Sequence, residues 1–372
     1  MNDRAGSELD IALVNALQLN PRADWSELAG ALRHAPKTLA RRWGALSGSG
    51  SAWVTVGPGQ GFLRHGCAAF LTVTCRPGAR QNVAEALVAE PGVVSMSATS
   101  GAADFLVDAF APDLDGLYEL LSERIETVEG IAGVTSLVGL TTYREGSRWR
   151  AQALDLEQST RLTRPEAAAP RRPGPAPDAL DSALLAALSY DARTPWADLA
   201  DQCGTTGPTA RRRVEKLIAS GRIALRCEGA HTLLGPVVPT TFLLTVPPDE
   251  MNHAGEVLGR LAQCRVVEAI TGPSNLLLTM WFRGTAEIAP FEAALVRELP
   301  SLAIADRYVS LRTHKRGGHI LDTAGRSIAV IPPTPLFAAA GERWTSGVRQ
   351  GCVIGPSRMT AGPPPGAMSP VS

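Results

Sequence analysis

The sequence lacks most of what would fix a function at sight. Its 36 Lys+Arg balance 36 Asp+Glu, so no general attraction to a polyanion follows, and any nucleic-acid site must come from local clustering. Its 6 cysteines, at positions 67, 75, 203, 227, 264 and 352, include no C-x-x-C, which supports neither a structural zinc nor a disulfide framework. Reduced, mostly buried thiols and no cofactor are expected. No apolar run approaches a membrane span, and the opening MNDRAGSELD has no apolar stretch, so a soluble cytoplasmic protein without a membrane partner is expected. Nucleophile elbow, P-loop, Rossmann glycine run and H-E-x-x-H are all missing, which argues against an enzyme.

What is present is a repetition. Residues 9–50 lie over residues 180–221 without a gap, matching at Leu9/Leu180, Leu13/Leu184, Arg22/Arg193, Trp25/Trp196, Thr38/Thr209, Arg41/Arg212 and Arg42/Arg213. The same offset carries Gly101 onto Gly272 and Leu140 onto Leu311. The chain reads as a tandem duplication of a unit of about 140 residues. Residues 157–178, rich in Pro, Ala and Arg, are expected to link the copies, and residues 322–372 are expected to form a disordered tail.

Each copy opens with three helical patterns. In the first, Leu9, Leu13, Ala16 and Leu17 follow the candidate N-cap Ser7; Trp25, Leu28, Ala29 and Leu32 mark a second helix; a third runs from Pro36 through Leu39, Trp43 and Leu46 to Gly48. Three short helices, the last two joined by a tight turn, are the helix-turn-helix arrangement. The third helix is basic: Arg33, Lys37, Arg41 and Arg42 stand with no acid, and Arg211, Arg212, Arg213, Lys216, Arg222 and Arg226 with Glu215 alone. A recognition helix needs side chains that reach base edges and cations that neutralise phosphate. Lys37, Thr38 and Arg41, with Thr205, Thr206, Thr209 and Arg212, suit that double role; Arg42, Arg211 and Arg213 complete the candidate DNA-binding set. Arg42 and Arg213 lie one helical step farther round and equally suit pairing within the fold. Trp25 and Trp196 read as core anchors.

The second half of each copy alternates periods as βαββαβ, which implies a four-stranded antiparallel sheet with both helices on one face. The bare face of one sheet needs a cover, and the other copy is available. The short β-type runs after the helices, 52–56 and 223–227, form a wing or a strand leading away. The expected fold is therefore α+β: two copies of a winged-type helix-turn-helix followed by a ferredoxin-like domain, at 8–60 and 66–147, then 179–230 and 238–318.

The stretch from Thr209 to Leu217 (T-x-R-R-R-V-x-x-L), closed by Ser220-Gly221-Arg222-Ile223 and followed by a βαββαβ domain, resembles the Lrp/AsnC transcriptional regulators. The resemblance covers roughly residues 8–147 and 179–318. It implies double-stranded DNA as partner, dimerisation through the βαββαβ domains, assembly into higher homo-oligomers, and a small effector such as an amino acid. The family's Gly-x-x-Asp turn stands here as Gly101 to Asp104 and, with an amide for the acid, as Gly272 to Asn275; these four are the candidate effector residues. The first copy departs from the pattern, with residues 47–53 in place of S-G-R-I. A covalent pseudo-dimer with two unlike recognition helices follows. Two alternatives stay open: a ligand sensor that no longer binds DNA, and an enzyme like the haem-pathway decarboxylases of similar fold, for which His314 and His319 flank a basic loop.

Overall fold

The computed structural model describes residues 7–64, 66–163 and 177–338. The first copy runs α1 (Glu8–Leu19), α2 (Trp25–Leu32), α3 (Pro36–Gly48), β1 (Ala52–Pro58), β2 (Cys67–Cys75), α4 (Arg80–Ala89), β3 (Val93–Thr99), β4 (Phe105–Ala111), α5 (Leu114–Glu119, prolonged by a π-helical turn to Ile125) and β5 (Ile131–Arg144). After α6 (Leu156–Leu162), the order returns as α7 (Ala179–Tyr190), α8 (Trp196–Cys203), α9 (Gly207–Ala219), β6 (Ile223–Gly229), α10 (His231–Leu234), β7 (Val238–Thr245), α11 (Met251–Gly259), β8 (Cys264–Ile270), β9 (Leu276–Phe282), α12 (Ile288–Glu298) and β10 (Ala303–Arg316).

Local chemistry sets the helix ends. Ser7 and Asp178 each form a reciprocal capping box with the aspartate three residues on, Asp10 and Asp181, satisfying donors that a helix start leaves open. Pro36 and Pro208 lie in the first turn of α3 and α9, where no amide donor is needed. Between the second and third helices the chain turns through the left-handed region, at Arg33 (φ 57°) in one copy and Gly204 (φ 66°) in the other.

The strands that follow the helix-turn-helix units lead away from them and pair with each other. In this ribbon Ala52 faces Gly229, Pro58 faces Ile223, and Thr55 faces Arg226. Since residues 171 apart correspond, the first two pairs are images of each other and the third maps onto itself. A pseudo-twofold axis thus passes between Thr55 and Arg226. The sheets obey it too: Thr142 faces Glu268 where Thr313 faces Ser97.

That symmetry closes the sheets. β5 pairs with β2 of its own sheet and β8 of the other, and β10 pairs with β7 and β3. The circuit β3-β4-β2-β5-β8-β9-β7-β10 returns to its start, leaving none of these strands with an open edge. Outside the barrel, Leu71, Val73, Phe105 and Val107 pack under α4 and α5, and Phe242, Leu244, Leu276 and Leu278 pack beneath α11 and α12. Inside, Phe70, Leu137, Ile270 and Leu277 form a smaller apolar group. Each copy covers the other's bare face.

Two expectations about the segments between and after the copies need correction. Part of the linker is ordered, since α6 starts on an Asp155–Gln158 capping box and buries Leu162; residues 164–176 lie outside the described residues. The expected tail begins with structure: β12 (Ser327–Val330) pairs with β11 (His319–Leu321) just before the tail, which continues the sheet beyond β10, and Phe337 is buried against α7. One aromatic anchor and a hairpin order this stretch despite its Pro and Gly content. Residues 339–372 and Cys352 lie outside the described residues.

Candidate DNA-binding face and interior chamber

The two helix-turn-helix units share one core. Leu13, Leu17, Leu28, Leu39 and Trp43 pack with Leu184, Leu188, Leu199, Val214 and Leu217, so α3 and α9 are held in fixed relation. The seam is reciprocal. Arg22 donates to the carbonyls of Ala192 and Thr194, the latter at 2.7 Å, with its guanidinium over the Trp196 ring; Arg193 donates to Pro21 and Ala23 (2.7 and 2.9 Å) and lies over Trp25. Trp25 and Trp196 are half-buried and pack against this shared core, so they are core anchors that also join one copy to the other. Burial, and then Arg193, pull the Arg22 pKa down to about 10.

The outward face of α9 exposes Arg211, Arg212 and Lys216, and that of α3 exposes Lys37 and Arg41. Thr206 is exposed and its hydroxyl donates to Thr209 at 3.0 Å; Thr38, Thr205 and Thr209 are half-buried. Arg211 pairs with Glu215 one turn on, at 2.8 Å. Among the described residues Lys37, Arg41 and Arg212 make no ion pair.

Other members of the predicted set have internal partners. Arg42 bonds the Ser7 hydroxyl and pairs with Asp10, both at 2.9 Å; Arg213 pairs with Asp178 at 2.7 Å and Asp181 at 3.0 Å. Each therefore ties the third helix to the capping box of the first. Arg222 and Arg226 are 5% and 9% exposed, which removes them from the basic face.

The side chains of the two Gly-x-x-Asp/Asn turns also have internal partners. Asp104 accepts from the Cys75 amide at 2.7 Å and pairs with Arg80; Asn275 accepts from the Val246 amide at 2.9 Å and donates to the Val246 carbonyl at 2.8 Å. Burial opposes the Asp104 charge, but the Arg80 and Cys75 bonds outweigh it and hold the carboxyl below its ordinary range. One side-chain oxygen fastens the end of each domain's first strand, and an amide does this as well as an acid. Gly101 and Gly272 precede them at φ 93° and 114°, a region that favours glycine.

The histidines of the basic loop are kept apart. His319 stacks on Trp53 and bonds Ser327 and the Ser189 carbonyl, while His314 meets the Phe105 ring edge-on. Burial lowers both pKa values, that of His319 to about 4. Among the described residues no group of three or more His, Cys, Asp or Glu could hold a metal ion, and no helix is long and apolar enough to cross a membrane.

The interior of the barrel holds a charged cluster that the sequence reading missed. Arg226 from the ribbon, Arg265 from β8, Arg316 from β10, Asp108 from β4, Glu268 from β8 and Glu145 line a cavity of about 140 Å³. Glu228 stands behind it, bound to Arg265 and 3.9 Å from Arg316, and both guanidiniums stack on Trp281. Burial opposes the Glu228 charge, yet Arg265, Arg316 and Arg226 keep its carboxyl below the ordinary range. Burial pushes Asp108 up to about 6 and Glu268 up to about 8. The Lys315 ammonium donates to the carbonyls of Val88 and Glu90, both at 2.9 Å, at the end of α4. A legible signal was available: Asp108 interrupts an otherwise apolar strand, and Arg265 and Glu268 interrupt another.

The comparisons with known proteins agree with this layout. Residues 68–149 match the Lrp/AsnC ligand binding domain, and residues 178–218 match the AsnC-type helix-turn-helix domain. The chain thus combines helix-turn-helix units with ferredoxin-like domains, and its first ferredoxin-like domain and second helix-turn-helix unit are each similar to a domain of the Lrp/AsnC regulators. Among solved structures, the siroheme decarboxylase NirDL is similar at 15% identity, over 82% of this chain and 92% of that one, with a TM-score of 0.53; at that identity the likeness concerns the fold alone. A transcriptional regulator from Neisseria meningitidis complexed with L-Met matches at 25% identity, over 36% of this chain and 90% of that one, with a TM-score of 0.31. E. coli AsnC matches at 19%, over 37% and 94%, with a TM-score of 0.32. The search of the curated proteins returned no match.

Proposed function

We propose that this protein is a sequence-specific DNA-binding regulator that works as a covalent pseudo-dimer, gripping DNA mainly through α9 and answering to a small effector. The observation that carries this reading is the fused pair of helix-turn-helix units, whose third helices expose Arg211, Arg212 and Lys216 on one side and Lys37 and Arg41 on the other. Cations of this kind neutralise phosphate, and Thr205, Thr206 and Thr209 at the start of α9 stand where a recognition helix reads base edges. The pseudo-twofold axis suits an imperfect palindrome. The test is a salt titration of binding to the intergenic DNA beside the protein's own gene, against a scrambled probe. A sequence-preferring shift that weakens steeply with salt is expected. Absence of any shift at low salt refutes the reading and favours a sensor that does not bind DNA.

The whole-chain likeness to NirDL favours a second reading, an enzyme acting on a tetrapyrrole. Titrating the protein with a ferric tetrapyrrole carboxylate tests it: a Soret shift at one equivalent, followed by loss of carbon dioxide by mass spectrometry, supports the enzyme. An unshifted spectrum rejects it. The interior chamber, at about 140 Å³, is far too small for such a ring without rearrangement.

A further inference from the structure

Eight strands closed on themselves enclose a packed core or leave space for one small ligand. Here Phe70, Leu137, Ile270 and Leu277 fill part of the interior, and the remaining 140 Å³ or so has space for roughly ten water-sized groups. The walls are mixed, with Phe62, Leu106, Phe110 and Trp281 beside the charged cluster.

Arg226 stands out within that cluster. It lies on the pseudo-twofold axis opposite Thr55, so the chamber has one such guanidinium and not two. It is 9% exposed. A guanidinium offers five donors, yet among the described residues it makes one hydrogen bond, to the Pro58 carbonyl at 3.2 Å. Glu145 pairs with it only at 3.8 Å, too long for a hydrogen bond, and Nε has no hydrogen-bond partner. Arg265 differs, since Glu228 binds it directly, and both Arg265 and Arg316 stack on Trp281, which Arg226 does not. A buried, under-bonded guanidinium is unfavourable until an acceptor arrives, and the acceptor that matches its planar fork is a carboxylate. Glu268, raised by burial to about 8, already carries its proton near neutral pH, and Asp108, raised to about 6, can take one up when a second anion enters.

We infer that the barrel interior is a binding site for a small carboxylate with an apolar body, its carboxylate seated on Arg226 and its body against Phe62, Phe110 and Trp281. This deepens the regulator reading, on which its role as effector rests, and it moves the effector away from the Gly-x-x-Asp/Asn turns, whose side chains are spent on backbone.

The experiment uses the full-length protein and three probes of about ten non-hydrogen atoms: phenylacetate, L-phenylalanine and phenethylamine, at millimolar concentration by calorimetry. Phenylacetate is expected to bind, phenethylamine not. Arg226→Gln is expected to weaken phenylacetate at least ten-fold. Ala68→Leu, which fills the chamber and leaves Arg226 in place, is expected to weaken it as much, and it decides alone should Arg226→Gln lose its native circular dichroism. If L-phenylalanine binds more tightly than phenylacetate, Asp108 or Glu268 receives its ammonium; if more weakly, the ligand is a plain carboxylate. The inference is overturned if neither carboxylate binds, if Ala68→Leu binds like wild type, or if phenethylamine binds as tightly as phenylacetate. DNA binding is measured separately on the same preparations. Carboxylate binding without a DNA shift sinks the regulator and leaves the chamber; a DNA shift without carboxylate binding sinks the chamber alone.

Discussion

The guanidinium carbon of Arg22 lies 3.6 Å from the centre of the Trp196 ring, and the image of this contact puts Arg193 4.6 Å from Trp25. The matched Arg and Trp of the two repeats are thus partners across the repeats. Arg22→Ala removes the ring contact and leaves the Ala192 and Thr194 carbonyls without their donor. Charged hydrogen bonds and a half-buried cation–π contact of this kind are worth about 2–4 kcal/mol together. Urea unfolding should show a loss of that size, with Trp25→Phe much milder. An unchanged midpoint for Arg22→Ala would show that the seam contributes nothing.

Arg33 occupies the left-handed turn that Gly204 occupies in the other copy. A side chain there costs roughly 1 kcal/mol relative to glycine. The exposed ion pair with Glu157, at 3.2 Å, offsets little of it. Arg33→Gly should therefore raise the thermal midpoint by a few degrees, as followed by circular dichroism, and a lowered midpoint would contradict this.

Glu268 ties stability to pH. Burial raises its pKa from 4.5 to about 8, so the folded state keeps a proton that the unfolded state has released. Its contribution is full below about pH 4.5, shrinks as pH rises, and is gone by about pH 8. Glu268→Gln should match wild type near pH 4 and exceed it by roughly 3–5 kcal/mol at pH 8. Equal stability of the two proteins at pH 8 would mean that Glu268 ionises freely.

Much of the fold was legible because the duplication doubles every signal. The capping boxes, the prolines opening α3 and α9 and the βαββαβ order follow from local rules, and the need to cover each sheet's bare face pointed to the pairing of copies. Long-range geometry was not legible. Nothing in the string says that Arg42 and Arg213 reach back to Asp10 and Asp181, because helix faces meet only after folding. Arg226 looked like one more cation of the basic helix, whereas the ribbon carries it onto the pseudo-twofold axis, inside the barrel. Ordering of the segment before Phe337 depends on a pocket built by α7, more than a hundred residues earlier.

Arg213 offers a control for the DNA face. Its bonds to Asp178 and Asp181 brace α9, so Arg213→Ala should cost stability, about 1 kcal/mol. Arg212→Ala should leave urea unfolding unchanged, weaken DNA binding, and lower the salt slope by about one. A DNA affinity insensitive to Arg212→Ala would remove α9 from the interface.

The most direct measurement is a hydroxyl-radical footprint of the full-length protein on its selected DNA site. Two protected patches about 34–36 Å apart, one helical turn or a multiple, are expected, strong under α9 and weak under α3, with Arg212→Ala erasing the strong patch and Lys37→Ala/Arg41→Ala only the weak one. Two equal patches, each lost to its own variant, would contradict a grip held mainly by α9, and no protection at low salt would contradict DNA binding itself.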